Sequence, residues 1–305
     1  MTDARRARDG LVMAVVAYGL WGLFPIYWKQ LAGVPATEVL AHRVVWSLVF
    51  VLTIVVLRRQ LGRVVAVLRS PRARRSMLLS TSLVGLNWGV FIWAVSENRV
   101  AEASLGYYIN PLVNVALGRA VLGERLSRGQ GVAIAIAGLA VAGLTLAQGR
   151  LPWVSLLLAV SFGFYGLVRK RVEAGALDGL TIETGFAAPV ALAYLLMLDP
   201  AFGHLAAPTS DGHVVGFLLG AGVATSIPLL AFAGAARRLR YTTLGMIQYL
   251  APTLQLACAV GLYGEPLTLE QGLTFGGIWL AIGIYIADAR PWRAAGGRVQ
   301  REPVS

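Results

Sequence analysis

The feature that most constrains this chain is a succession of long apolar stretches, each about the length needed to cross a bilayer. Ten can be drawn, over roughly 11–30, 38–57, 77–96, 101–121, 131–148, 152–169, 180–198, 213–235, 241–262 and 271–288. A helix crossing the hydrocarbon core takes roughly 20 largely apolar residues, and in lipid a helix satisfies its own backbone polar groups. The expected fold is therefore an all-α integral membrane protein of about ten transmembrane helices. Composition supports this: 57% of the 305 residues are hydrophobic and 14% charged, more apolar surface than a soluble domain can hide. The net charge of +12 does not indicate a nucleic-acid partner, because the charges sit in short clusters between apolar runs rather than along one face. Arg5, Arg6 and Arg8 precede the first run, which is too long for a signal-peptide core and has no small-residue cleavage site before Lys29, so it is read as a retained helix. The one cysteine, Cys258, lies in an apolar run and is read as a packing residue.

The basic residues test the count. With the N-terminus inside, 23 of 27 fall in alternate, inner segments; only Lys29, Arg99 and Arg150 fall outside, and Arg43 lies within a helix. Positive charge is retained on the cytoplasmic side, so both termini and the 58–75 loop are expected to be cytoplasmic and the segment 199–211 to face outward. In that loop Leu61, Val64, Val65 and Leu68 recur at helical spacing between arginines. This fits a short helix on the anionic leaflet; a simple charged loop is the competing reading.

A shift of 141 residues superposes the end of the first half on the end of the second. Tyr108 meets Tyr249, Pro111 meets Pro252, Gly123-Glu124 meets Gly264-Glu265, and Gln130-Gly131 meets Gln271-Gly272. The boundaries drawn are 1–148 and 149–290 for two five-helix repeats, with a basic cytoplasmic tail over 291–305. Five is odd, so the second repeat enters the membrane from the opposite side, an architecture typical of alternating-access transporters.

Six strings carry a family resemblance: YGLWGLFPIYWK from Tyr18, AHRVVWS from Ala41, NWGVFIWAV from Asn87, EASLGYYINPLVNV from Glu102, FYGLVRK from Phe164 and TLGMIQYLAPTLQ from Thr243. In order and over nearly the whole chain they resemble the RarD family, EamA-type members of the drug/metabolite transporter superfamily. The resemblance implies a five-plus-five inverted repeat and transport across the bacterial inner membrane, in a family whose members are labelled permeases or chloramphenicol-sensitivity proteins.

Pro111 and Pro252 fall at equivalent points of the fourth and ninth spans. Proline frees a carbonyl, and paired helix breaks in corresponding positions point to a transporter's site. Tyr107, Asn110 and Asn114 share a helical face with Pro111, and Gln248, Tyr249 and Gln255 stand in the repeat beside Pro252. These uncharged groups can bind a neutral or zwitterionic solute; amides also serve as helix–helix glue in bilayers. Asn87 and Trp88, flanked by Gly85 and Gly89, are the best aromatic pocket candidates among Trp21, Tyr27, Trp28, Trp46, Trp88, Phe91 and Trp93; Trp28 fits an interfacial anchor. Glu38, His42 and Arg43 in the second span, with Glu183 in its repeat counterpart, are candidates for proton coupling, since intramembrane charges are functional by default and histidine titrates near neutral pH. The competing reading pairs Glu38 with Arg43 or Lys29 at the outer interface.

Glu124 and Glu265 are read as marking helix exits. The small-residue fifth and tenth spans are read as peripheral packing helices that offer a homodimer contact. His42, His204 and His213 form no metal-spaced cluster, and neither a phosphate-binding glycine loop nor a selectivity-filter motif is present. No metal and no cofactor are expected. The reading that results is a secondary active transporter, not an enzyme, for a small polar or amphipathic metabolite. Amino acids and related compounds come first and drugs such as chloramphenicol second, with the proton gradient as driving force; a membrane enzyme or a passive channel are the alternatives.

Overall fold

A computed structural model describes residues 3–97, 99–147, 153–198, 212–264 and 266–289. His204, Arg150, Glu265, the 199–211 segment and the 291–305 tail lie outside them. The described residues form helices α1 (Asp3–Trp28), α2 (Ala36–Leu57), α3 (Leu61–Arg69), α4 (Pro71–Ser96), α5 (Val100–Ala120), α6 (Arg128–Ala147), α7 (Trp153–Arg171), α8 (Ala176–Leu198), α9 (Gly212–Ala236), α10 (Tyr241–Gln248), α11 (Leu250–Tyr263) and α12 (Leu269–Ala289), and no strand. Nine helical stretches among them are long and apolar enough to span a membrane, α10 and α11 counting together. The tenth, α5, has 21 residues, enough to cross, but carries Glu102, Asn110, Asn114 and Arg119. With α3 as a surface helix, the result is an all-α membrane protein of ten spans.

Several helices outrun their apolar cores. α1 begins among the arginines at Asp3, and α4 begins at Pro71, a residue suited to a first helical position. Between them α3 forms as the spacing predicts. It turns Val64 inward onto Val55, Met77 and Ile182 and leaves Leu61 and Val65 exposed.

The internal repeat is visible in local chemistry. Gly123 and Gly264 both adopt left-handed backbone, at φ 65° and 66°, a conformation glycine takes without steric cost. Four residues on, each half builds a capping box. Gln130 accepts from the Ser127 N–H at 3.2 Å while Ser127 Oγ accepts from the Gln130 N–H at 3.1 Å; Thr268 and Gln271 repeat this at 3.1 and 3.3 Å.

The repeat is also visible in packing. α1 against α9 is matched by α7 against α4, α1 against α11 by α7 against α5, and α2 against α9 by α8 against α4. The remaining major pairs, α2–α8, α5–α10 and α6–α12, join equivalent helices of the two halves. With five spans each, the halves run through the membrane in opposite senses.

The prolines behave unequally. The ninth span is interrupted at Tyr249, three residues before Pro252, whereas α5 continues through Pro111 without a break. The helix breaks are thus not paired as the sequence suggests. Pro25, Pro189 and Pro228 also lie inside helices. The core joins both halves: Tyr18 and Trp21 of α1, Phe162 and Tyr165 of α7 and Phe232 of α9 form one aromatic cluster with centroids 5.2–6.2 Å apart.

Candidate functional site

A cavity of about 710 Å³ lies between α2, α4 and α8, with Tyr165 of α7 and Leu229 of α9 at its inner wall. Its volume suits a small molecule. Leu40, Val44, Val84, Phe186 and Val190 make it largely apolar, and Trp88 stands on one side. Thr37 and Tyr194 share a hydroxyl hydrogen bond of 2.6 Å across α2 and α8 at one end. Eleven residues along α8, about 16 Å by helical rise, Glu183 faces the same cavity while itself 3% exposed.

Glu183 is held by three side chains of two neighbouring helices, α4 and α7. Ser80 of α4 donates to Oε1, the Tyr165 hydroxyl lies 3.5 Å from Oε2, and Arg169 Nε stands 3.6 Å from Oε1. Arg169 is 1% exposed; its Nη2 donates to the carbonyls of Gly175 and Ala176 at 3.4 and 3.2 Å. The sequence places Arg169 with Lys170 and Arg171 in an inner basic cluster, and nothing in that triplet marks the first arginine as the buried one. Lys170 instead donates to the carbonyls of Ala236 and Leu239 at the end of α9.

The second-span charges divide. Glu38 and His42 are buried on one face, with His42 Nε2 3.8 Å from Glu38 Oε1, and Trp46 Nε1 donates to His42 Nδ1 at 3.3 Å. Arg43 points elsewhere, donating from Nε to Thr225 Oγ1 of α9 at 3.0 Å and lying against the rings of Trp28 and Trp88. Trp28, read as an interfacial anchor, therefore contacts a charged group of α2. Lys29 lies over the Tyr263 ring at 3.4 Å.

The amides meet one another. Asn114 donates to Asn110 Oδ1 at 3.2 Å and to Gln248 Oε1 at 2.7 Å, Gln248 donates to Asn110 Oδ1, and Asn110 donates to the Ala159 carbonyl at 2.7 Å. Tyr18 OH lies 3.4 Å from Gln248 Oε1. Asn110, Asn114 and Gln248 are buried, and none lines the cavity. Gln255 donates to the Trp21 carbonyl at 3.2 Å, and Asn87 to the Leu158 carbonyl at 2.8 Å and Ser161 at 3.0 Å. Tyr107 stands exposed beside Phe91, while Tyr249 is fully buried. Of the sequence candidates, the cavity gathers Trp88, Trp93 and Glu183; the amides tie α1, α5, α7, α10 and α11 together. Glu124 is a cap: its carboxylate accepts from the N–H groups of Tyr241 at 2.6 Å and Thr242 at 2.9 Å, at the start of α10.

Residues 8–146 match the EamA-like transporter family. An uncharacterized transporter of Vibrio cholerae is 44% identical over 287 residues, 94% of this chain and 94% of its own. Protein RarD of Salmonella typhi is 44% identical over 288 residues, covering 94% of this chain and 97% of its own. A solved crystal structure superposes with a TM-score of 0.73 at 18% identity, over 93% of this chain and 99% of that one. Sequence kinship at this level over nearly the full length, with ten spans exchanged by a repeat symmetry, leaves one assignment: the chain belongs to the RarD family, EamA-type members of the drug/metabolite transporter superfamily.

Proposed function

We propose that this chain is a secondary active transporter, working as an exporter or permease, for a small polar or amphipathic metabolite. Amino acids and related compounds are the first substrates to try and amphipathic drugs such as chloramphenicol the second. The observation that carries this reading is the cavity between the halves, apolar on its walls and reaching one buried carboxylate, Glu183. An apolar cavity takes the body of an amphipathic solute, and a carboxylate at membrane depth is a site where a proton can bind and leave. The proton gradient is the proposed driving force, with Glu183 as first coupling group and the Glu38–His42 pair as second.

Alternation follows from the repeat. The packing of α2 along α9 is tight where its counterpart, α4 along α8, is looser and bounds the cavity. Exchange of these two arrangements closes one path and opens the other. Units 1–148 and 149–290 are the proposed moving halves, with both termini and the tail 291–305 on the cytoplasmic side of the inner membrane, and a second copy is proposed to meet the chain through α6 and α12. Cysteine at Arg72, in a Cys258→Ala background, should react with an impermeant thiol reagent only after permeabilisation; labelling in intact cells inverts the orientation.

The test of function is purified protein in liposomes with an imposed proton gradient, offered a radiolabelled amino-acid mixture and chloramphenicol. Accumulation abolished by a protonophore is expected. Equilibration without accumulation points to a channel, and chemical conversion of the solute to an enzyme.

The amide cluster is assigned to packing beneath the site. Asn114→Leu removes two buried hydrogen bonds, leaving Asn110 Oδ1 with Gln248 alone and Gln248 Oε1 with only Tyr18 OH at 3.4 Å. The loss of about 1–3 kcal/mol should lower the unfolding midpoint of the detergent-purified protein. An unchanged midpoint with lost transport returns the amides to substrate binding.

A further inference from the structure

Three arginines sit among aromatic or buried groups at or within the spans, and two of them meet a carboxylate of their own chain. Arg99 lies 5.4 and 5.1 Å from the rings of Trp93 and Trp153, and its Nε and Nη2 donate to the two oxygens of Glu102 at 2.9 and 3.0 Å. Arg169 has Glu183 at 3.6 Å. Arg43 repeats the tryptophan sandwich of Arg99, with its guanidinium carbon 4.8 Å from the Trp28 ring and 5.1 Å from the Trp88 ring. Yet no Asp or Glu among the described residues forms an ion pair with it. Glu38 is five residues back on another face of α2, turned to His42.

What Arg43 offers is specific. Its Nε is taken by Thr225 Oγ1 at 3.0 Å, which leaves the end-on edge formed by the two Nη groups. Neither of these makes a hydrogen bond among the described residues, and the side chain as a whole is half-buried. A guanidinium clamped between two indoles is fixed in orientation, and its planar edge matches the two oxygens of a carboxylate. Arg43 lies about 10 Å from the start of α2 by helical rise, where an uncompensated charge is unfavourable. In the Arg99 sandwich the same arrangement is completed by Glu102. Trp88 connects the two regions, since it contacts Arg43 and also lines the apolar cavity.

We propose that Arg43 is the recognition point for the carboxylate of the transported solute, seated between Trp28 and Trp88. Under the transport reading, on which this inference rests, it narrows the substrate class to amphipathic carboxylic acids, amino acids included. The acid group occupies the Nη edge, and the apolar body lies on the cavity side of Trp88.

The test uses full-length protein in detergent and three probes: 3-phenylpropionate, its uncharged counterpart 3-phenylpropionamide, and phenyl phosphate. The carboxylate alone should raise the unfolding midpoint. Arg43→Gln should weaken its apparent affinity at least about tenfold, Arg43→Lys should weaken it less, and Arg99→Gln should leave it unchanged. If Arg43→Gln does not fold, phenylglyoxal modification of wild-type Arg43, read by mass spectrometry, should be slowed by the carboxylate and not by the amide. An equal response to acid and amide, a response to phosphate alone, no response to the carboxylate, or undiminished affinity in Arg43→Gln each overturns the proposal. Carboxylate binding through Arg43 without gradient-driven movement in liposomes would sink the transport reading and leave this one standing. Accumulation of an uncharged solute without carboxylate binding would do the reverse.

Discussion

Glu183→Gln should reduce proton-driven solute accumulation in proteoliposomes to the level of empty vesicles, while exchange of internal for external solute persists. Glutamine retains the size of the side chain and its contacts with Ser80 and Tyr165 but cannot take up and release a proton. Exchange requires only that the loaded carrier reorient, whereas accumulation requires a proton to move with each cycle. The substitution also leaves Arg169 buried without its carboxylate, and breaking one side of a buried pair is destabilising by about 3–5 kcal/mol. The double variant Glu183→Gln/Arg169→Met removes that orphaned charge. It should restore the unfolding midpoint and still fail to accumulate solute. If either folded variant accumulates at the wild-type rate, Glu183 is structural and the Glu38–His42 pair becomes the coupling group to test.

How far the molecule could be read from its sequence depended on which physical constraint acted. The bilayer imposes a length and a polarity on each span, so the ten spans and the surface helix over Leu61–Arg69 were visible in one dimension. The repeat was visible because Gly123 and Gly264, and Gln130 and Gln271, do the same local job in the two halves. Glu183 was visible because a carboxylate inside an apolar run calls for an explanation. Pairing across the bundle was not visible. Nothing local separates Arg169 from Lys170 and Arg171, or shows that Trp28 and Trp88 converge on Arg43. The amides at 110, 114 and 248 were recognised as a shared polar face, yet their destination was set by α5 meeting α10, which satisfies them internally. Pro111 and Pro252 show the same limit, since one residue type in equivalent positions breaks only the second helix.

The tightest junction between the halves gives the second large effect. Gly222 of α9 lies against the backbone of α2: a Cβ placed there would stand 2.2 Å from the Trp46 carbonyl carbon and 2.6 Å from the Ser47 nitrogen. Ser47 Oγ donates to the Gly222 carbonyl at 3.1 Å, so the contact also carries a hydrogen bond. Carbon contacts are ordinarily about 3.5–4 Å, so Gly222→Ala must push two helix backbones apart by about 1 Å, with no flexible side chain to yield. Small residues permit close helix approach in bilayers, where lipid supplies no hydrophobic drive between helices, and overpacking costs about 1–3 kcal/mol or more. Gly185→Ala is the matched control, because nothing lies within 4 Å of a Cβ there; it should keep or slightly raise the unfolding midpoint through helix propensity. Gly222→Ala should lower the midpoint clearly, and Gly222→Leu should prevent recovery of monodisperse protein from detergent. Equal midpoints for the two alanine variants would mean that α2 and α9 part easily. That result would also remove the tight junction on which alternation between α2–α9 and α4–α8 depends.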